Sequence, residues 1–327
     1  MKKWKEPLFA LAFVAVAALL IGLCADALRP QRVDYGAVWG PYLAEPRDSL
    51  DYLYLGSSYA YCDVDPAVIY EHTGLTGYVL AGPEQTLSQT YWYLREALRT
   101  QSPSAVVLDA SALHFDPYQN YTQVNVGYMP MGLNKLGAVF TASEPGLRTG
   151  LLFDLYFYHN RWKDVTPGEL VRGLAPVGTD TLKGFTGVEG VFEQIADGPF
   201  RREEKEEAVY QANLADLGRI QALCQSRNIP LVVVFHPTYS QLSPEMYRRI
   251  GADVVALGAR YYDWSDESAA FGIVPEEHFY DPGHLNRDGA AVFSSRLGDF
   301  FGEELGLIPR DQTAENEAAW EAVAEAR

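Results

Sequence analysis

Short apolar runs alternate with amphipathic stretches along the first third of the chain. Three runs, LDYLYLG, GYVLA and SAVVLDA, are each bounded by turn residues, which is typical of strands buried on both faces of a sheet. Between them, DPAVIYEHTG is predicted as a helix capped by Asp65 and closed by Gly74, and TLSQTYWYLREALRT as an amphipathic helix. This order of strands and helices predicts a parallel sheet covered by helices.

The alternation breaks at about residues 111–200, where Tyr, Phe, Gly and Pro are frequent. GLLFDLYFYHNRW indicates one helix there, without a strong strand signal. The regular pattern then returns with a long helix, the strand IPLVVVF, the helix PEMYRRIGADVVALG, the strand RYYDW and a last helix starting at Asn286. We therefore expect a flavodoxin-like α/β three-layer sandwich over residues 49–309, with a central parallel sheet and an aromatic-rich insertion. The tail, residues 310–327, is a polar helix former with little to bury.

The amino end carries a different pattern. Residues 8–25, LFALAFVAVAALLIGLCA, hold no charge, follow three lysines and precede Asp26. Because roughly 20 apolar residues cross a bilayer, residues 1–28 are predicted to form a membrane anchor, followed by a connector at 29–48. The lysines favour a cytoplasmic amino terminus, which places the remaining chain outside the cytoplasm. Two alternatives remain: a cleaved signal peptide, since small residues surround Asp26, and a buried core helix.

Composition narrows the classes of partner and cofactor. The 327 residues include 43 acidic and 26 basic side chains, a formal net charge of -17, which disfavours binding to nucleic acid or to an anionic membrane except through local basic patches. The three cysteines, Cys24, Cys62 and Cys224, have neither metal-ligand nor disulfide-framework spacing, and the six histidines are scattered. The sequence therefore predicts no metal and no cofactor.

A glycine and two serines end the first predicted strand. In a parallel sheet the carboxyl ends of the strands open onto a crevice in which ligands collect. Gly56 lets the chain turn sharply there, and a serine just beyond it presents a hydroxyl, as an acyl-transfer nucleophile must. The alternative is a simple turn in which Ser57 or Ser58 caps the next helix.

The second cluster, HFYDPGHLNRDGA, precedes the last helix. Pro282 and Gly283 suit the centre of a type II turn, which would bring Asp281 and His284 together. A carboxylate beside an imidazole fixes its tautomer and prepares it as a general base for a serine. The alternatives are a turn-capping aspartate, a surface histidine, or a metal site.

On these two motifs the chain resembles the SGNH/GDSL hydrolases. The match is YLGSSYA and DPGHLNRDGA, within about residues 50–116 and 202–305. The resemblance implies Ser58 as nucleophile, His284 as its base and Asp281 as the partner of the imidazole. It also implies an oxyanion hole formed by the N–H groups of Ser58 and Gly82, with Gln85 nearby.

The third block of the family is where this chain departs. Its Gly-x-Asn is absent after AVVLDA, and Asp109 or Ser111 occupies that neighbourhood. A carboxylate would repel an oxyanion, so Asp109 needs another role. Ser111 is retained as a substrate-binding hypothesis, as is His236, which ends a central strand; its alternative is a structural role.

The anchor and the aromatic insertion make the chain similar to the SGNH-like proteins of alginate acetylation and teichoic-acid D-alanylation. This similarity implies a partner of the membrane-bound O-acyltransferase class and an envelope polysaccharide or acyl-ester substrate. Within the insertion, His159, Arg161 and Trp162 are hypothesised to contact a sugar; the alternative is that they pack the insertion onto the sheet.

The resulting prediction is an extracytoplasmic serine esterase or O-acyltransferase that acts through a Ser-His-Asp triad. It is held at the cell membrane by a single span, or secreted if the span is cleaved. Two alternatives remain, a catalytically inactive binding or scaffold protein and a metal-dependent hydrolase that uses Asp281 and His284.

Overall fold

A computed structural model describes residues 5–30, 32, 35, 38–193 and 199–325 of the chain. Its main sheet has five parallel strands in the order β2-β1-β3-β5-β7, and a second sheet pairs β4 with β6. The strands are β1 (Tyr52–Gly56), β2 (Gly77–Ala81), β3 (Ala105–Asp109), β4 (Phe200–Arg201), β5 (Leu231–Phe235), β6 (Ser240–Gln241) and β7 (Arg260–Asp263). The parallel, helix-covered sheet confirms the predicted flavodoxin-like fold class.

The described helices fall into three groups. The segment before the sheet holds α1 (Lys5–Leu28) and α2 (Trp39–Ala44). The α/β pattern contributes α3 (Ser58–Asp63), α4 (Pro66–Thr73), α5 (Leu87–Ala97), and later α11 (Glu207–Ser226), α12 (Pro244–Ala256), α13 (Ser268–Phe271), α14 (Pro275–His278), α15 (Arg287–Glu303) and the tail helix α16 (Ala314–Glu325). Between β3 and α11 lie α6 (Thr122–Gly127), α7 (Leu133–Thr141), α8 (Arg148–Leu151), α9 (Asp154–Tyr158) and α10 (Pro167–Gly173), with 3₁₀ turns at Ala110–His114 and His159–Lys163.

Helix boundaries follow the capping residues in the sequence. The Asp65 carboxylate accepts the N–H of Ala67 to start α4, and Gly74 ends that helix in the left-handed conformation at φ 76°. Asn286 likewise accepts the N–H of Gly289 at the start of α15. These short polar side chains satisfy N–H groups that have no partner inside a helix.

Both faces of the main sheet are buried. On β1, Leu53 and Leu55 point into one apolar cluster, whereas Tyr52 and Tyr54 point into the other, as the two-residue period of a strand requires. Helices α5 and α11 pack against each other on one side, and α4 and α15 on the opposite side. This layering explains why the strand sequences are continuously apolar.

The second sheet was not predicted from the sequence. Phe200 and Arg201 pair in parallel with Ser240 and Gln241. Two-residue strands are too short to leave a period of alternating polarity, so pattern analysis has no signal for them. The pairing ties the end of the insertion to the loop that follows β5.

The tail differs from the expectation that it has little to bury. In α16, Trp320 is fully buried and stacks on Tyr70 of α4, with ring centroids 5.1 Å apart. The ammonium of Lys183 lies 4.6 Å from the centre of the Trp320 ring and 2.8 Å from the carboxylate of Glu45. One residue each from the tail, the insertion and the connector therefore form a single buried cluster. The sequence pattern shows no sign of it, because the three residues lie in separate segments.

We predict that Trp320→Ala lowers the free energy of unfolding by about 3–5 kcal/mol, the usual cost of truncating a large buried aromatic side chain. It also removes the ring above the buried Lys183. Urea unfolding of the detergent-solubilised chain measures the change. Ile308→Ala, at a side chain that is 79% exposed, is the control and should stay within about 0.5 kcal/mol. Equal values for the two variants would contradict the packed tail.

Candidate active site

The turn after β1 is built by a close approach of two strands. Gly56 has a φ of 152°, and a Cβ at this position would lie 2.7 Å from the Cβ of Asp109 on the neighbouring strand. Only glycine fits there. The chain then enters α3 directly, with Ser57 as the residue before the helix and Ser58 as its first residue.

The loop before α15 is closed by the Asp281 side chain. Its Oδ1 accepts the N–H groups of Gly283 at 2.7 Å and of His284 at 2.8 Å. Gly283 has no left-handed φ, so the predicted type II turn is wrong, and the carboxylate supplies the closing bonds instead. The glycine is required for space, since a Cβ there would lie 2.9 Å from the Tyr59 hydroxyl oxygen.

The structure brings Ser58, His284 and Asp281 into one hydrogen-bonded chain. The Oγ of Ser58 lies 2.8 Å from Nε2 of His284, and Nδ1 of His284 lies 2.9 Å from each carboxylate oxygen of Asp281. With its Nδ1–H donated to Asp281, the imidazole accepts a hydrogen bond from the Ser58 hydroxyl at Nε2. All three side chains are partly accessible to solvent.

The electrostatics of the pair favour a protonatable imidazole. Burial alone would lower the pKa of His284, but the hydrogen bond and charge of Asp281 outweigh it, so that this pKa lies above its usual 6.5. The pKa of Asp281 lies below its usual value, because burial is outweighed by His284 and the two backbone N–H groups. His284 can therefore hold a positive charge that the fixed carboxylate stabilises.

Gly82 lies beside this turn. It directly follows Ala81, whose register partner on β1 is Gly56. A Cβ on Gly82 would lie 2.0 Å from the Oδ1 of Asn125, so no larger residue fits. Gln85 is buried nearby and donates from Nε2 to the Thr90 hydroxyl at 2.9 Å.

Asp109, at the end of β3, organises the turn that follows β1. Its Oδ2 accepts the hydroxyls of Ser57 at 2.9 Å and Ser111 at 2.5 Å, while Oδ1 accepts the Ser111 N–H at 3.0 Å. The Ser57 hydroxyl is thereby drawn away from the start of α3, which it does not cap. Ser111 is likewise buried and committed to Asp109, not open to the crevice.

A second aspartate–histidine pair, which the sequence analysis missed, lies beneath the first. Asp63 accepts the Nδ1–H of His236 at 2.9 Å, and Tyr54 donates its hydroxyl to Nε2 at 2.7 Å. Both ring nitrogens are occupied and the side chain is fully buried, so the structure gives His236 an internal partner in place of the hypothesised substrate contact. The available signal was an aspartate inside the otherwise apolar stretch YAYCDV.

Asp63 also contacts the loop that carries His284. Its Oδ1 accepts the N–H of Leu285 at 2.9 Å, the residue after His284. Burial raises the pKa of Asp63, and the bonds from His236 and Leu285 oppose this rise. The ring of Tyr59 stacks on the imidazole of His284, with ring centroids 4.9 Å apart.

The insertion residues lie elsewhere. Arg161 donates from its guanidinium to the carbonyl oxygen of Leu28 at the end of α1, and Trp162, in the same 3₁₀ turn, is 66% exposed. The side chain of His159 lies outside the described part of the structure. Ser58, His284 and Asp281 come from the first helix of the sheet domain and the loop before α15, so the structure does not place Arg161 among these elements.

Comparison with known proteins gives a fold likeness only. No family model matches the chain, and no curated protein matches it. A solved mutant of an acetyl-xylooligosaccharide esterase from Geobacillus Stearmophilus is similar to it, with a TM-score of 0.37 and 10% sequence identity over 82% of this chain and 99% of that one. A likeness this distant says nothing about the substrate of this chain.

We predict that His284 titrates above 6.5 and that Asp281→Asn lowers its pKa. The substitution removes the charge that stabilises the imidazolium and leaves the cost of burial. Histidine ring resonances followed by NMR against pH measure the shift, and His284→Gln assigns the signal. His72→Gln, at a half-exposed ring on α4, is the control and should leave the His284 titration unchanged. An unchanged His284 pKa in Asp281→Asn would contradict the observed pair.

Proposed function

We propose that this protein is a serine esterase or O-acyltransferase. The observation that supports it is the hydrogen-bonded chain from the Ser58 hydroxyl through His284 to Asp281. The chain joins residues 226 positions apart, at the crevice edge of a parallel sheet. A serine hydroxyl needs an adjacent base to act as a nucleophile, and the base needs an orienting partner; this arrangement contains both.

In the proposed mechanism, Ser58 Oγ attacks the carbonyl carbon of an ester while Nε2 of His284 takes its proton. The oxyanion of the tetrahedral intermediate accepts hydrogen bonds from the N–H groups of Ser58 and Gly82. The intermediate then collapses, His284 returns the proton to the leaving alcohol, and an acyl-Ser58 ester remains. Water or a sugar hydroxyl next attacks the carbonyl carbon of this ester and loses its proton to His284. The acyl group passes to the attacking oxygen, and His284 returns the proton to Ser58 Oγ.

The location supports an extracytoplasmic role. By length and composition α1 can cross a membrane over Pro7–Leu28. Ala25 is buried, and the backbone of Gly173 approaches the carbonyl oxygens of Asp26 and Ala27, so the insertion packs on the end of α1. The folded chain would lose these contacts if α1 were cleaved, and we therefore propose a retained anchor. The proposed substrate is an acyl ester of an envelope glycan, and the proposed partner is a membrane-bound O-acyltransferase.

One observation favours a catalytically inactive scaffold as the second candidate. Asp109 stands where the family carries an asparagine that donates to the oxyanion, and its carboxylate accepts hydrogen bonds instead of donating them. Under this alternative, Ser58 would be unreactive although its geometry is retained. A metal-dependent hydrolase, the third alternative, would lose its activity on treatment with a chelator, whereas a serine enzyme would keep it.

We predict that a fluorophosphonate probe labels the wild-type chain and that Ser58→Ala abolishes labelling and lowers ester hydrolysis by about 10⁴-fold or more. Ser57→Ala is the matched control. It should still be labelled, although it loses a bond to buried Asp109 and should unfold about 1–3 kcal/mol more easily. Labelling that persists in Ser58→Ala, or no labelling of the folded wild type, would reject the serine mechanism.

We predict that the full-length chain expressed in a bacterial host keeps its amino-terminal segment and stays with the membrane after an alkaline carbonate wash. The reason is that the insertion packs on α1 and would lose these contacts if the segment were removed. Mass spectrometry of the purified chain checks the first part and fractionation the second. A mature chain that starts after Ala25 would reject the anchor and support secretion.

A further inference from the structure

The insertion packs around the last turns of α1. Helices α9 and α10, and the 3₁₀ turn at His159–Lys163, all contact α1. Ile21 of α1 lines an apolar cavity of about 620 Å³ together with Phe153 and Tyr156, and Leu23 lines a second cavity with Leu174. Because an α-helix rises about 1.5 Å per residue, these contacts cover about the last 10 Å of α1.

This position fixes the surroundings of the insertion if α1 spans a bilayer. A span of about 30 Å uses roughly 20 residues, and Pro7–Leu28 provides 22. The part of α1 that the insertion touches is therefore the end that leaves the hydrocarbon core. Elements packed on Ile21 to Leu28 therefore lie at the outer edge of the hydrocarbon core and in the adjoining headgroup region, together with the side chains that they expose.

The exposed side chains of this segment suit such a place. Among the side chains that the structure describes within residues 153–174, five large apolar ones are exposed: Phe153, Tyr156, Trp162, Val171 and Leu174. No residue of α10 is buried, and one of them, the apolar Val171, is 70% exposed. Tyrosine and tryptophan are enriched at membrane interfaces, where one end of the ring is apolar and the other is hydrated.

The charges next to this surface have the opposite sign to the protein as a whole. A cleft of about 250 Å³ is lined, among the described residues, by four arginines and a single acidic side chain, Glu169. The arginines are Arg29, Arg32, Arg161 and Arg172. Two of these arginines are paired, Arg29 with Asp26 and Arg32 with Asp180, so the cleft carries a small local excess of positive charge in a chain of net charge -17.

We propose that residues 153–174 form a membrane-docking collar around the exit of α1. Its exposed apolar side chains insert among the headgroups of the outer leaflet, and Arg161 and Arg172 bind the phosphates of anionic lipids. This inference rests on the proposed anchoring of α1, but not on the proposed chemistry at Ser58. It assigns Arg161 and Trp162 to the lipid surface and not to a sugar subsite.

The lipid bilayer is the occupant that the contacts favour. The apolar surface of the collar is continuous with α1, whose own large side chains are exposed from Leu8 to Leu23. A second copy of the chain would have to cover the collar while both copies remain inserted, and it would bring its own acidic surface against the membrane. A lipid surface meets both the apolar side chains and the arginines without such a conflict.

Spin labels on the full-length chain test this proposal in vesicles of phosphatidylcholine and phosphatidylglycerol in equal parts. The background carries Cys24→Ala, because Cys24 is exposed whereas Cys62 and Cys224 are buried. Labels are placed at Val171→Cys on the collar, Val14→Cys in α1, and Ile308→Cys, an exposed apolar position in the segment between α15 and α16. Power saturation compares access of oxygen, which concentrates in lipid, with access of a water-soluble nickel complex.

We expect the Val171 and Val14 labels to be open to oxygen and closed to nickel, and the Ile308 label to show the reverse. A Val171 label that is open to nickel while Val14 is closed to it would reject the collar and leave the anchor intact. A Val14 label open to nickel would reject the anchor itself. A Val171 label shielded from both reagents would show protein covering the collar and would also overturn the proposal.

A charge-neutral variant tests the phosphate contacts. Arg161→Gln combined with Arg172→Gln should reduce the ratio of docked to undocked collar by about 30-fold in the anionic vesicles, since each arginine near an anionic surface contributes about fivefold. In vesicles of phosphatidylcholine alone, the variant and the parent should give the same nickel access at Val171. If variant and parent show equal nickel access at Val171 in both kinds of vesicle, the role of lipid phosphates is rejected. If they differ in vesicles of phosphatidylcholine alone, the effect of the arginines is not specific to anionic lipid.

Discussion

A buried carboxylate holds the two halves of the site together. Asp63 ends the helix that begins at Ser58, and its two oxygens accept hydrogen bonds from His236, which follows β5, and from the backbone of Leu285. Those partners are 173 and 222 positions away in the chain. A buried carboxylate is costly unless it is fully hydrogen-bonded, so this group penalises any arrangement in which the loop before α15 moves away from α3. The spacing of 2.8 Å between Ser58 and His284 depends on that restraint.

Asp109 is a second buried carboxylate, and it restrains the turn at Gly56 and Ser57 through hydrogen bonds. Gly56 brings β1 and β3 so close that the Asp109 carboxylate reaches the hydroxyl of Ser57. This contact explains why adjacent serines have different environments: Ser57 is turned inward to a buried acceptor, and Ser58 is left to face the imidazole. Asp109 therefore has a structural task in this turn, because its carboxylate accepts hydrogen bonds from Ser57 and Ser111.

The parts of this protein that the sequence predicted are those governed by local rules. The strands, the caps at Asp65 and Asn286, and the approach of Asp281 to His284 each follow from a few neighbouring residues. The Asp63–His236–Tyr54 chain could not be predicted from the sequence. Its members become neighbours only when β1, β3 and β5 pair side by side and α3 packs on the sheet. Trp320 was missed for a related reason, since its burial depends on Tyr70 and Lys183 and not on the polar residues beside it. The turn at Pro282 shows the limit of local rules, because a side chain closed it where a backbone bond was expected.

The insertion and the sheet divide two physical tasks. Every residue of the Ser58–His284–Asp281 chain comes from elements attached to the sheet, whose close packing restrains their relative positions. The insertion instead packs on α1, and a single helix alone would leave the domain free to rotate about the membrane normal and tilt against it. Contacts between α10 and α1 remove much of that freedom, since Gly173 permits an approach of backbone to backbone. A collar that also binds lipid would set the height and direction of the crevice relative to the membrane. A domain held at two places in this way would no longer turn freely against the membrane, and the crevice at the carboxyl ends of its strands would keep one direction relative to the lipid surface.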